Sequence, residues 1–171
     1  MTLKLLGIDP GLAATGIGVV TGCYPKVLEF AYGVIRTHSK DPLPLRLEKI
    51  YTRLGQVLAQ ECPDAMIVED VFSLDQYPKS GITLGQVCGV ILLAGQQAGV
   101  VTYQVPVREA KKVLTGNGAA GKGQLEMAVR QTLGTNDPIR PSHASDALGL
   151  ALIGLFRYGG SRNKDRQMHY P

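Results

Sequence analysis

The 171-residue chain is predicted to fold as one α/β domain, a mixed sheet flanked by helices. Three observations predict it. The length fits a single domain on a prior of roughly 150 residues each, and such a domain needs no disulfides to bury an adequate core. Three runs rich in Val, Ile and Gly come before residue 38, with no helical period between them. Beyond that point, segments of helical period alternate with short apolar runs, the pattern of strands joined by crossover helices.

In chain order, residues 3–9 read as a buried strand closed by the turn Asp9-Pro10-Gly11. Residues 15–21 and 27–37 read as two more strands. Residues 42–62 have helical spacing, with Leu45, Leu47, Ile50, Leu54, Val57 and Leu58 on one side and Arg46, Glu48, Lys49 and Arg53 on the other. Pro63-Asp64 stops that helix, and residues 65–68 form a short strand ending in Glu69-Asp70. Residues 82–98 are apolar nearly all round, which fits a core helix or one buried against a partner. A strand over 100–105 follows, then a helix over 106–114 with Pro in its first turn. Helices over 121–133 and 142–158 complete the domain, the last with Ser142 as its expected N-cap. The domain therefore spans 1–158, and 159–171 is a polar, basic, frayed tail.

Composition excludes several classes. The longest apolar run, 87–95, is far shorter than the ~20 residues a spanning helix needs. The apolar start, residues 3–8, is broken by Asp9-Pro10-Gly11, against a secretory signal. Cys23, Cys62 and Cys88 are far apart and lack a C-x-x-C pair, so they are expected to be reduced, packed thiols of a cytoplasmic protein, without zinc. Charge is uneven. The chain has 18 Lys+Arg and 14 Asp+Glu, yet residues 1–107 hold 8 basic and 9 acidic against 10 and 5 in the rest. A basic C-terminal third is the footprint of a nucleic-acid binder, although a solvated basic tail has the same composition.

Asp9 and Glu69 close two strands expected to run parallel through a crossover helix, which puts both on one sheet edge. Ligand and metal sites of open α/β sheets form along that edge. His143 and Asp146, three residues apart, share a face of the last helix. Each acid also has a plainer role, Asp9 as a turn former and Asp146 as a first-turn complement to the helix dipole. Together, three carboxylates and an imidazole can hold two divalent cations about 3.5–4 Å apart, which activate water and stabilise the leaving oxygen of a phosphodiester. Oxygen ligands suit Mg²⁺ or Mn²⁺, and the imidazole tilts the preference toward Mn²⁺. Gly116 to Lys122 matches G-x-x-x-x-G-K, but Gly123 stands where a P-loop needs Ser or Thr, and a helix precedes it. With Lys111, Lys112 and Lys122 the segment fits contact with backbone phosphates, or a plain surface loop.

Four blocks in this order resemble one family: Gly7-Ile8-Asp9-Pro10-Gly11 with Thr15-Gly16; Ile67-Val68-Glu69-Asp70-Val71-Phe72; Leu84-Gly85-Gln86; and Ser145-Asp146-Ala147-Leu148. That family is the RuvC-type Holliday-junction resolvases. The resemblance implies a ribonuclease-H-like fold and a homodimeric, metal-dependent endonuclease. Such enzymes place paired symmetric nicks across four-way DNA junctions, leaving 5′-phosphate and 3′-hydroxyl ends, and work with a branch-migration motor complex. By motif position Asp9, Glu69 and Asp146 match catalytic, metal-holding carboxylates, Lys111 and Lys122 match basic residues near the scissile phosphate, and Phe72 matches an aromatic that stacks on a base at the opened crossover. The apolar helix over 82–98 would lie at the dimer interface. His143 stands where many members carry a fourth Asp, leaving the metal preference open. Two rivals are a nuclease of the same fold acting on RNA or single strands, and a non-catalytic junction-binding module. A sugar-kinase-like phosphotransferase would need a second domain.

If His143 is a metal ligand, Mn²⁺ should serve at least as well as Mg²⁺. A Mn²⁺-to-Mg²⁺ rate ratio that is unchanged in His143→Asp would remove the ligand role.

Overall fold

The computed structural model describes residues 1–70 and 78–159. Its sheet has five strands in the order β3-β2-β1-β4-β5. β1 (Leu3–Asp9), β2 (Ala14–Cys23) and β3 (Lys26–Arg36) form a consecutive antiparallel meander. α1 (Leu43–Glu61) crosses from β3 to β4 (Ala65–Asp70), and α2 (Pro78–Gln97) crosses from β4 to β5 (Val101–Pro106). β4 pairs in parallel with both β1 and β5, so these three strands end along the same edge. α3 (Val107–Thr115), α4 (Lys122–Leu133) and α5 (Ser142–Tyr158) follow. The order and strand directions are those of the expected ribonuclease-H-like sheet.

Alternation along the strands builds two cores, because successive side chains point to opposite faces. Leu6, Ile8, Met66 and Val68 pack against Ile50, Leu54 and Leu58 of α1 and Val87, Ile91 and Ala94 of α2. On the other face Leu5, Val20, Ala65 and Ile67 meet α5, with Leu125 and Val129 of α4 behind it. Every residue of α5 from Ala147 to Leu155 is buried. Full burial of each leucine or isoleucine there contributes about 1.5–3 kcal/mol. The end of α5 is tied down by Tyr158 stacked on Tyr103, ring centroids 4.6 Å apart, and by an Arg157–Glu109 ion pair.

Such burial needs a helix lying very close to the sheet, and glycines permit it. Gly7 faces Gly18 across the β1–β2 ladder, and Gly16 faces Asp9. A Cβ added at Gly18 would lie 2.5 Å from the Leu148 backbone N, and one at Gly7 or Gly16 would run into the Ala147 or His143 carbonyl. α5 therefore rests its backbone on a floor without side chains.

The sequence-based boundaries shift at several places. α2 begins at Pro78, a turn ahead of the apolar run, since Lys79-Ser80-Gly81 belong to the helix without contributing to its pattern. β4 includes Glu69 and Asp70 because β5 pairs with both. Ser142 is not the N-cap of α5: Pro141 holds that position and makes no side-chain cap, and Ser142 is the first helical residue. Asp146 consequently lies beyond the first turn, where the dipole no longer accounts for it. Cys88 is buried as expected, but Cys62 is exposed, in the left-handed conformation that ends α1. Among the described residues no helix is long and apolar enough to cross a membrane.

Gly7→Ala should lose about 3 kcal/mol or more, since the clash is with backbone that cannot step aside. Gly55→Ala, mid-α1 with nothing within 4 Å of the new methyl, should gain about 0.8 kcal/mol. Denaturant midpoints of the two variants would check both.

Candidate active site

The strand register decides which acids meet. On β1, Leu5, Gly7 and Asp9 share the α5 face, and on β4 Ala65, Ile67 and Glu69 do the same. The pairs Leu5↔Ala65 and Gly7↔Ile67 lead directly to Asp9 beside Glu69 at the common edge. The turn after Asp9 is held by side chains: the Thr15 hydroxyl donates to the Gly11 carbonyl at 2.8 Å, and the Thr37 hydroxyl donates to the Leu12 carbonyl at 2.5 Å. Arg46 Nε in turn donates to Thr37 Oγ1 at 2.8 Å. A shift of this turn would move Asp9 away from Glu69.

α5 brings in the other half. Resting on Gly16, it places His143 Nδ1 2.5 Å from Asp9 Oδ2. Asp146, one turn on, faces the same carboxyls, and its charge acts on both Asp9 and Glu69. Asp9 is only 7% exposed. Lys111 of α3 and Lys122 at the start of α4 supply the nearby positive charge, Lys111 acting on Glu69 and Asp146, Lys122 on Asp9 and Asp146.

Crowded, desolvated carboxyls resist ionising together. Burial, followed by the hydrogen bond shared with Asp9 and the charges of Asp9 and Asp146, pushes Glu69 up to about 8. Burial pushes Asp9 up to about 6, opposed by its hydrogen bond with Glu69 and by Lys122. The two carboxyls therefore favour holding one proton between them over ionising together. Burial also raises Asp146, against Lys122, His143 and Lys111. Among the described residues no three His, Cys, Asp or Glu side chains are drawn close enough together to close around an ion. The donor chemistry nevertheless fits a hard divalent cation: oxygen-rich, poorly hydrated, and with a proton held where a metal would relieve the crowding.

The structure thus gathers Asp9, Glu69, His143 and Asp146, with Lys111 and Lys122 beside them. Phe72 lies outside the described residues. Gly116 has φ of 73° and ends α3, so the glycine-rich segment follows a helix and not the strand of a P-loop. Sequence reasoning missed three participants. Thr15 is fully buried beneath the Asp9 turn, and Arg140 and Ser145 line a cleft next to Asp146. Thr15, four residues past Gly11, and Ser145 both stand in the motif blocks quoted above without a role assigned to them; nothing in the local sequence marks Arg140.

The family model described as "Crossover junction endodeoxyribonuclease RuvC" matches residues 5–154. A relative of that name in Rhodopirellula baltica is 38% identical over 152 residues, covering 89% of this chain and 85% of its own. Another, in Salinispora arenicola, is 39% identical over 163 residues, covering 95% and 92%. The solved structure "T. thermophilus RuvC in complex with Holliday junction substrate" superposes with a TM-score of 0.80 at 31% identity, covering 90% of this chain and 97% of that one.

A carboxyl whose pKa is raised by folding stabilises the fold while protonated, and that contribution is lost as pH rises through the raised value. Without divalent cations the melting temperature should therefore fall as pH increases from about 5 to about 8. Glu69→Gln should flatten that slope, and millimolar Mg²⁺ should restore the wild-type Tm at the alkaline end. Calorimetry in EDTA and in Mg²⁺ would check all three.

Proposed function

The chain belongs to the RuvC family of crossover junction endodeoxyribonucleases, and from that premise we propose how its site resolves four-way DNA junctions. It is a hydrolase acting on DNA, and its substrate is the junction. The single observation that carries the residue-level reading is the meeting of Asp9, Glu69, Asp146 and His143 at one sheet edge, flanked by Lys111 and Lys122.

Asp9, Glu69, Asp146 and His143 would hold one or two divalent cations, Mg²⁺ or Mn²⁺. When bound, such ions activate water and stabilise the leaving oxygen of the phosphodiester. Asp9 touches His143 and shares a hydrogen bond with Glu69, so among these residues it is the one that would hold the cation most centrally. Its hydrogen bond to Nδ1 orients the imidazole. Lys122 neutralises charge on the scissile phosphate, and Lys111 supports it from α3. Water adds to phosphorus, the P–O3′ bond breaks, and the 3′ oxygen takes a proton, leaving 5′-phosphate and 3′-hydroxyl ends. Phe72, two positions after Asp70 in the sequence, is assigned to stacking on a base at the crossover.

A homodimer supplies two such sites about a two-fold axis, the symmetry of the junction. α2 offers a face for it: Ile82 and Leu93 are 67% and 51% exposed, with Gly85 and Gly89 between them on the same exposed side. Sedimentation as a monomer at cutting concentrations would remove this assembly. A branch-migration motor as partner, a cytoplasmic location and the basic 159–171 tail as an accessory to the 1–158 domain complete the proposal. A chain ending at 158 that binds junctions with unchanged salt dependence would exclude the accessory role.

The direct test is a synthetic four-way junction in Mg²⁺ and in Mn²⁺, with nicks mapped on all four strands. Paired nicks on opposing strands are expected. Glu69→Gln should reduce cutting by a factor of about 100 or more while junction binding is kept. Binding without cutting by the wild type would leave a junction-binding module, and equal activity on RNA or single strands would favour the other nuclease.

A further inference from the structure

A cleft of about 400 Å³ lies beside the carboxylates, between the start of α4 and the start of α5. It shares Lys122 and Asp146 with the site above and is otherwise lined by Gly123, Arg140, Ser142 and Ser145, by the Glu126–Arg130 pair, and by the apolar Pro138 and Ile139. Two helix N-termini open on it. Gly121 and Pro141 offer no capping side chain and neither first turn carries an acid, although the Gly121 N–H donates to the Gln124 side chain at 2.9 Å and the Ala144 N–H to the Pro141 carbonyl at 2.9 Å. The first N–H groups of a helix have no acceptor within it. Of those whose residues line the cleft, the Gly123 and Ser142 N–H groups have no acceptor among the described residues.

Three further features have the same sign. Arg140 is exposed and has no ion pair among the described residues. The negative charge of Glu126 is already engaged, by Arg130 at 2.8 Å and by the Ile139 N–H at 3.3 Å. The Ser145 hydroxyl is buried with no partner among the described residues, in a residue only 2% exposed. An unmatched buried hydroxyl destabilises the fold, so its retention needs a reason. Free amides, a free guanidinium and an unmatched hydroxyl around one cleft are complementary to a tetrahedral oxyanion.

We propose that this cleft seats the backbone phosphate adjacent to the scissile one on the strand being cut, held by Arg140, the first-turn amides of Gly123 and Ser142, and the Ser145 hydroxyl. The cleft adjoins Asp146, so a phosphate fixed there sets where along the strand the next one meets the carboxylates. The inference rests on the junction-cutting reading.

The test measures junction affinity of the full chain across a salt series without divalent cations, and KM and kcat with them. Arg140→Ala should lower the salt slope by about one and weaken binding about eightfold near 0.1 M salt. KM should rise while kcat is kept, and Arg140→Lys should recover part of the affinity. Ser145→Ala should weaken binding while its Tm holds or rises, which a purely structural serine would not do. In the ¹⁵N-labelled protein, inorganic phosphate should move the Gly123 and Ser142 amide resonances, and not in Arg140→Ala. An unchanged slope and KM in Arg140→Ala, with the wild type cutting normally, would overturn the seat alone. Amides that respond to phosphate while both variants bind junctions normally would make it a site for free phosphate, against the proposal. A wild type that neither binds nor cuts junctions would instead overturn the reading beneath it, and the seat with it.

Discussion

The backbone of α5 lies against Gly7, Gly16 and Gly18, and most of the molecule follows from that contact. A side chain at any of the three would lift the helix and open voids beneath Leu148 and Leu152, both fully buried. It would also draw His143 and Asp146 away from Asp9 and Glu69. The same glycines therefore serve the core and the chemistry, and neither can be relaxed without the other. Interiors packed this densely do not adjust to an added methyl by small compliant shifts.

Upon that floor the protein assembles an electrostatically unfavourable group. Three acids converge where water is scarce, and the charges of two lysines only partly offset their burial. The sheet carries this strain at its edge, and the compensating burial lies elsewhere, along the apolar length of α5 and across α1 and α2. Asp70, next in the chain to Glu69, faces the opposite side of the sheet, where its charge and that of Glu69 add to burial in raising the Cys88 thiol to about 11. The alternation of a single strand thus sends two neighbouring acids to different surroundings.

Much of this was legible in the residues. Strand runs, amphipathic spacing and the Pro-Gly turn placed every element, because local periodicity encodes local burial. The pairing of Asp9 with Glu69 was legible too, since a crossover helix constrains two strands to be parallel. What could not be read was set by tertiary contact. Whether Ser142 caps α5 or begins it depends on the path of Arg140-Pro141 into the helix. Cys62 looked like a core thiol from its neighbours, yet the left-handed residue that ends α1 turns it outward. Arg140 and Ser145 acquire significance only when α4 and α5 meet across a cleft, and no spacing along the chain announces that.

The contact between Asp9 and His143 joins residues 134 positions apart. The meander from β1 to β3 is local and can form early, whereas α5 docks only after all five strands exist, as expected where sequence-distant contacts are slow to close. A ribosome has to finish nearly the whole domain before the last two donors reach the first two. On the reading proposed above, a chain interrupted before α5 would lack half of its site and so could not cut DNA.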